Sequence, residues 1–277
     1  MKIRCSSLPK ICTASKVKGA LSETAKSYIK TIAKQDFYGY ETELNNKYVK
    51  KGIECEGAAI LLYNNVFFTS LVLFNIGQFS KKMRPEELAY LEQFKTNARP
   101  YIERFKNQNN QLTYNFWPRN PPQIFPNGGW LNQYNNKLAI ADDIDVGSIA
   151  LLAIGLNDSV AKAMQTKFGA YRVGLIKPNR SFYRQYKDRP VYSTWLGTKT
   201  PKDVDLSVLT NVLLMHTIAN IPLNATDSAS LDLIVDLVKA NKHLTDPKLV
   251  SQHYAYSATI IYHIARLIYF SNYPPLL

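Results

Sequence analysis

The sequence predicts an all-α protein. Apolar residues recur at spacings of three and four along most of the chain, and helix-start residues stand just ahead of those runs. No stretch alternates apolar and polar residues in the manner of a half-buried strand. Hydrophobic content of 46% and charged content of 20% are those of a folded globule.

Taken in order, Ser22 is a good N-cap, with Glu23 in the first turn, for a helix carrying Ala25, Tyr28, Ile29, Ile32 and Ala33. Gly39 stops that helix, and a second from about Glu43 carries Tyr48, Ile53, Ala59, Ile60 and Leu62. Residues 66–79 are almost wholly apolar, which predicts a helix buried on most sides. Pro85 followed by Glu86 and Glu87 opens another, striped by Leu88, Leu91, Phe94 and Ala98, and Pro100 is expected to kink or interrupt it.

Residues 111–138 read as a long aromatic loop, rich in Asn, Pro and Gly. Asp142 is then expected to cap a helix through Ile149, Leu152 and Leu156, and Asn157-Asp158-Ser159 to start the next. A polar, Arg- and Tyr-rich stretch occupies residues 171–195. Helices over about 204–219, 230–240 and 253–270 follow, separated by Pro222 and by Asp246-Pro247.

Bulk properties narrow the function only a little. The formal charge is +13 and the sequence pI about 9.5, which suits either an anionic partner or a Lys-rich surface. Cys5, Cys12 and Cys55, three in all, fit neither a disulfide framework nor a Cys-based zinc site. No secretory leader is expected at Met1-Lys2-Ile3-Arg4-Cys5, and no transmembrane segment elsewhere, since His263 and Arg266 interrupt the longest apolar run. The expected location is the cytoplasm.

Two resemblances overlay this reading. Residues 66–270 resemble an α/α-toroid of the terpenoid-cyclase and prenyltransferase kind. That resemblance rests on the segments Phe67-Phe68-Thr69-Ser70-Leu71, Thr113-Tyr114-Asn115-Phe116-Trp117, Asp142-Asp143-Ile144-Asp145 and Tyr192-Ser193-Thr194-Trp195. Asp205 with Asn211-Val212-Leu213, and Tyr262-His263-Ile264-Ala265-Arg266, complete it. It implies helical hairpins ringed, fully or incompletely, about a cavity for a small apolar or isoprenoid-like ligand.

Residues 1–68 instead resemble the front end of phage exonucleases of the YqaJ viral-recombinase type. The matching text includes Leu21-Ser22-Glu23-Thr24-Ala25 and Lys47-Tyr48-Val49-Lys50-Lys51-Gly52-Ile53-Glu54-Cys55-Glu56. By that resemblance Glu56 would be an early magnesium ligand. The later Asp and Glu-x-Lys motifs are missing, because no Glu occurs after Glu103 and no Glu-x-Lys after Glu56. The expected layout is therefore an N-terminal helical segment at 1–65 and a toroid-like domain at 66–277, with nucleic acid as a less favoured partner and magnesium required only by the nuclease alternative.

The toroid resemblance also assigns candidate chemistry. Class II terpenoid cyclases use an Asp-x-Asp-Asp motif to protonate an alkene or epoxide, and Asp143-Ile144-Asp145-Val146 matches it with Val in place of the last Asp. Asp143 and Asp145 are the catalytic candidates, with Asp145 on the acid's position; read structurally, the same aspartates cap a helix or lie near its positive end. Tyr114, Phe116, Trp117, Trp130, Tyr192 and Trp195 are candidate cavity walls, able to stabilise a cation through their ring faces or to pack as ordinary core. Asp203, Asp205 and His263 are similar to the zinc set of protein prenyltransferases, although the thiolate is missing. Three further function classes stay open: a sugar-acting α/α-barrel with an aspartate acid–base pair, a non-catalytic binding module, and DNA processing.

Overall fold

The structure, a computed structural model, describes residues 66–107, 112–117, 140–155, 157–173, 182–198, 200, 202–271 and 273. The two helices expected within residues 22–62 lie outside these, as do Glu56 and Trp130. The chain divides into two units, Met1–Tyr63 with Lys82–Tyr90, and Asn64–Lys81 with Leu91–Leu277. In the first, the described turn before the helix is tied by Arg84, whose backbone N–H donates to Glu87 Oε2 at 3.0 Å.

Among the described residues there are nine α-helices and no strand, as the sequence predicts. They are α1 (Val66–Gly77), α2 (Pro85–Glu103), α3 (Ile144–Ile154), α4 (Asp158–Gly169), α5 (Leu206–Ile218), α6 (Ala225–Lys239), α7 (Lys242–Thr245), α8 (Pro247–Val250) and α9 (Ser257–Phe270). Where the extended segments pair at all, they do so in two isolated antiparallel bridges, Lys106 with Tyr114 and Asp143 with Trp195.

Helix α5 is the hub of the larger unit. Every residue from Leu206 to His216 is buried, so this helix has no solvent face to mark with polar residues. It packs against α3, α4, α6 and α9, while α1 packs on α3. Each fully buried Leu or Val here stabilises the fold by about 1.5–3 kcal/mol, and Leu209, Val212, Leu213 and Leu214 all qualify.

Several helix ends differ from expectation for identifiable reasons. Asp143, not Asp142, caps α3: its side chain accepts from the Asp145 N–H, while Asp142 accepts from Asn107, Thr113 and Asn115. The same helix ends at Ile154 rather than Leu156 because Gly155 turns at φ +94°, a conformation that essentially only glycine adopts. Helix α2 continues through Pro100 to Glu103, so proline does not interrupt it. Pro100 stands within one turn of the helix end, where its missing N–H costs little.

Helix α6 begins at Ala225, five residues before the expected Ser230, with a full capping box. The Asn224 side chain accepts from Thr226 and Asp227, and the Asp227 side chain accepts from the Asn224 N–H. Helix α9 starts at Ser257 rather than at His253, because Ser251 to Tyr256 form an irregular, bent approach that serves the site below.

Candidate functional site

The N-termini of α3 and α5 bring carboxylates together where the bulk of the core would otherwise be apolar. Asp143 caps α3 and Asp205 caps α5; both caps sit at bends where the backbone is still extended. The Asp143 N–H donates to Tyr114 O at 3.1 Å, and the Ile144 N–H to Thr194 O at 3.0 Å. Thus the 112–116 and 192–196 segments flank the start of α3. Asp142, Asp143, Asp145, Asp203 and Asp205 are all at most 9% exposed.

Each of these carboxylates has a distinct set of partners. Asp142 Oδ2 accepts from Asn107 Nδ2 at 2.7 Å and Thr113 Oγ1 at 2.5 Å, and its Oδ1 accepts from Asn115 Nδ2 at 3.2 Å. Asp145 Oδ1 accepts from Asn211 Nδ2 at 2.6 Å, and its Oδ2 from the Tyr254 hydroxyl. Asp205 Oδ1 accepts from the N–H groups of Ser207 and Val208 and from Ser251 Oγ at 2.6 Å, while its Oδ2 takes the His253 N–H at 2.8 Å. Asp203 Oδ2 lies 2.7 Å from His253 Nε2, and Asp203 Oδ1 is buried without a hydrogen-bond partner.

Electrostatics separate the members. Burial, reinforced by the neighbouring Asp145 charge, pushes the Asp143 carboxyl up to about 8 against the pull of the Asp145 N–H. Burial also raises Asp145, but the Tyr254 and Asn211 hydrogen bonds hold it to about 6. Of the two, Asp143 is the one pushed further toward its protonated form. Burial opposes charge on His253, yet the Asp203 hydrogen bond and the charges of Asp205, Asp203 and Asp143 carry it up to about 9. Burial thus favours the protonated form of Asp143, while the surrounding aspartates favour the charged form of His253.

Comparison with family models, with curated proteins and with solved structures finds no match to this chain. Its chemistry has to be read from the side chains alone.

The structure scatters part of the expected cavity wall. Trp195 belongs to the centre: it bridges Asp143 through the backbone, and its ring lies edge-on to His253 at 5.9 Å. Tyr114 is buried beside it, with its hydroxyl 3.3 Å from Glu103 Oε1. Phe116 and Trp117 pair edge to face at 5.7 Å. Tyr192, by contrast, donates to Asp227 Oδ1 at 2.7 Å in a second buried cluster with His216 and Gln165.

The zinc set is not assembled either. Asp203 meets His253, Asp205 spends its oxygens on N–H and O–H donors, and His263 stacks against Tyr254 at 4.5 Å. Among the described residues no group of three or more His, Cys, Asp or Glu side chains is placed to hold a metal ion. Burial and the nearby Arg266 charge lower His263 to about 4, so it stays neutral.

Sequence reasoning missed His253 and Tyr254 as site residues. They sit in an irregular approach to α9, with no motif and no periodicity to mark them. Asn211 and Arg266 were visible only as parts of the toroid resemblance. The one usable signal was the repeated spacing: Asp143-Ile144-Asp145 at the start of α3 and Asp203-Val204-Asp205 just before α5 are both Asp-x-Asp, the cap being the first Asp in one and the last in the other.

Proposed function

We propose that the carboxylate centre is a general-acid site acting on a small apolar, isoprenoid-like ligand, and that α1, α3, α5 and α9 belong to a toroid-type helical frame around it. The observation that carries this reading is the unequal Asp143–Asp145 pair. The two are buried two residues apart, and only Asp145 is satisfied by side-chain donors, from Asn211 and Tyr254. Such a pair keeps one carboxyl protonated beside an anion. Asp143 would pass its proton to a ligand double bond, forming a C–H bond and leaving a carbocation. An adjacent double bond would then close on that cation, and loss of a proton would end the sequence. Trp195, whose backbone bridges Asp143, would lend an aromatic ring to stabilise that positive charge.

The test is to incubate the purified protein with linear polyprenes and polyprenyl diphosphates and to analyse extracts by gas chromatography–mass spectrometry. Cyclised product that disappears in Asp143→Asn supports the reading. A folded protein that yields no product and shows no quenching of tryptophan fluorescence with any of these ligands overturns it.

A second reading, a non-catalytic binding module, is favoured by Asp205, whose two oxygens accept four hydrogen bonds in bracing α5 against the approach to α9. Saturable quenching without product would select that reading. The nuclease alternative turns on Glu56, outside the described residues, and predicts magnesium-dependent cleavage of linear duplex DNA that Glu56→Ala abolishes.

A further inference from the structure

Arg266 is 7% exposed, a low value for a guanidinium, and its surroundings are unusual. It lies over the rings of Phe74 at 5.4 Å and Tyr262 at 5.1 Å. Its Nη2 donates to Asn211 Oδ1, while Nε and Nη1 are buried without hydrogen-bond partners. No carboxylate among the described residues forms an ion pair with it. A buried charge with so few partners is costly, so what it does hold is informative.

What it holds is one end of an amide. Asn211 is 0% exposed and lies between Arg266 and Asp145, facing each with a different atom. An amide can in principle sit either way round, because its oxygen and nitrogen ends have nearly the same shape. A guanidinium has donors and no acceptor, so only the oxygen end of Asn211 can face it.

We propose that Arg266 is a positioning residue that latches the Asn211 amide, so that its NH2 group must face Asp145. With the latch closed, Asp145 meets two donors, Asn211 Nδ2 and the Tyr254 hydroxyl. A protonated Asp145 would need an acceptor; the flip of Asn211 that would offer one is forbidden by Arg266, which leaves only a turned-round Tyr254 hydroxyl. The latch therefore favours the ionised form of Asp145. This rests on Asp143 and Asp145 being the working pair, but its test does not depend on turnover.

The charged and titratable groups around Asp145 come from every neighbouring segment. Asp143 stands in its own helix turn and Asp205 at the cap of α5, while His253 and Tyr254 precede α9 and Arg266 reaches it through Asn211. Helix α1 brings no ionisable side chain to this face, having none.

Two measurements decide the matter. In the wild-type protein, nuclear Overhauser contacts should place the Asn211 side-chain amide protons against Tyr254; finding them against Arg266 overturns the latch, whatever any variant does. Carboxyl-carbon titration should then show Asp145 moving to higher pH by about one unit, a tenfold change in its proton affinity, in Arg266→Gln but not in Arg266→Lys. In an Asn211→Ala background, Arg266→Gln should add nothing. A shift that persists there means that Arg266 acts through its bare charge, and the latch is wrong. Failure of the proposed ligand chemistry with these titrations intact would overturn the catalytic reading and leave the latch standing.

Discussion

His216 Nδ1 lies 2.8 Å from Asp227 Oδ1, and both side chains are fully buried. Asp227 gathers three more donors, Tyr192, Gln165 Nε2 and the Asn224 N–H, so one carboxylate ties α4, α5 and the start of α6 to the segment before Trp195. Asp227→Ala leaves those donors buried and unmatched. We expect a loss of about 3–5 kcal/mol, the range for breaking a buried pair from one side, measured by urea unfolding; Asp227→Asn should cost less.

The same group sets an acid limit. Burial alone would raise Asp227, but His216 and the other donors outweigh it and hold the carboxyl below its usual value. Its stabilising share is present above the unfolded value near pH ~4 and fades as pH falls through the lower folded value. The wild type should therefore lose stability in acid more steeply than Asp227→Asn does.

Asp143 works in the opposite direction. Its carboxyl stands at about 8 in the folded chain and near ~4 when unfolded. The folded state binds the extra proton between those values, so stability falls as pH rises from ~4 to 8. His253, raised to about 9, adds a decline of the same sign above pH ~6.5. Asparagine caps helices as well as aspartate does. Asp143→Asn should thus flatten the urea midpoint against pH between 6 and 8 and reduce the His253 part, to which the Asp143 charge contributes. An unchanged slope would show that Asp143 does not hold the proton.

His263 should give an acid-side signature of its own. It is lowered to about 4 by burial and by Arg266, so the unfolded chain binds its proton first, and stability rises with pH from 4 to ~6.5. His263→Phe keeps a ring against Tyr254 and should remove that rise. The readout is the melting temperature across this range, with a parallel wild-type curve as the contrary result.

At the end of α3, Gly155 turns at φ +94° with nothing within 4 Å of where a Cβ would stand. Gly155→Ala is therefore strained by its backbone and not by crowding. A cost of about 1–3 kcal/mol is expected, read as a drop in melting temperature with an unchanged circular dichroism spectrum.

Much of the fold is legible in the sequence, because period and caps are local signals. Pro85-Glu86-Glu87 announces α2, and Asn157-Asp158-Ser159 announces α4. What escaped is what depends on partners far along the chain. Nothing local says that Asp143 rather than Asp142 caps α3; that choice is made by Asn107, Thr113 and Asn115 claiming Asp142. The site was half legible for the same reason. Asp143, Asp145, Asp203 and Asp205 advertise themselves by type and spacing, whereas His253 and Tyr254 become site residues only when α9 docks on α5. The place of Tyr192 was not legible, because its hydroxyl is directed to Asp227, a partner far along the chain.

The hold of Asp142 on Asn107, Thr113 and Asn115 has a consequence for how this chain can change. Asn115 also donates to Ile140 O at 2.9 Å, so one amide grips the chain at two points just ahead of α3. Change at Asn107, Thr113 or Asn115 would therefore reach the acid pair through Asp142, and these three polar positions are the ones whose variation the start of α3 tolerates least.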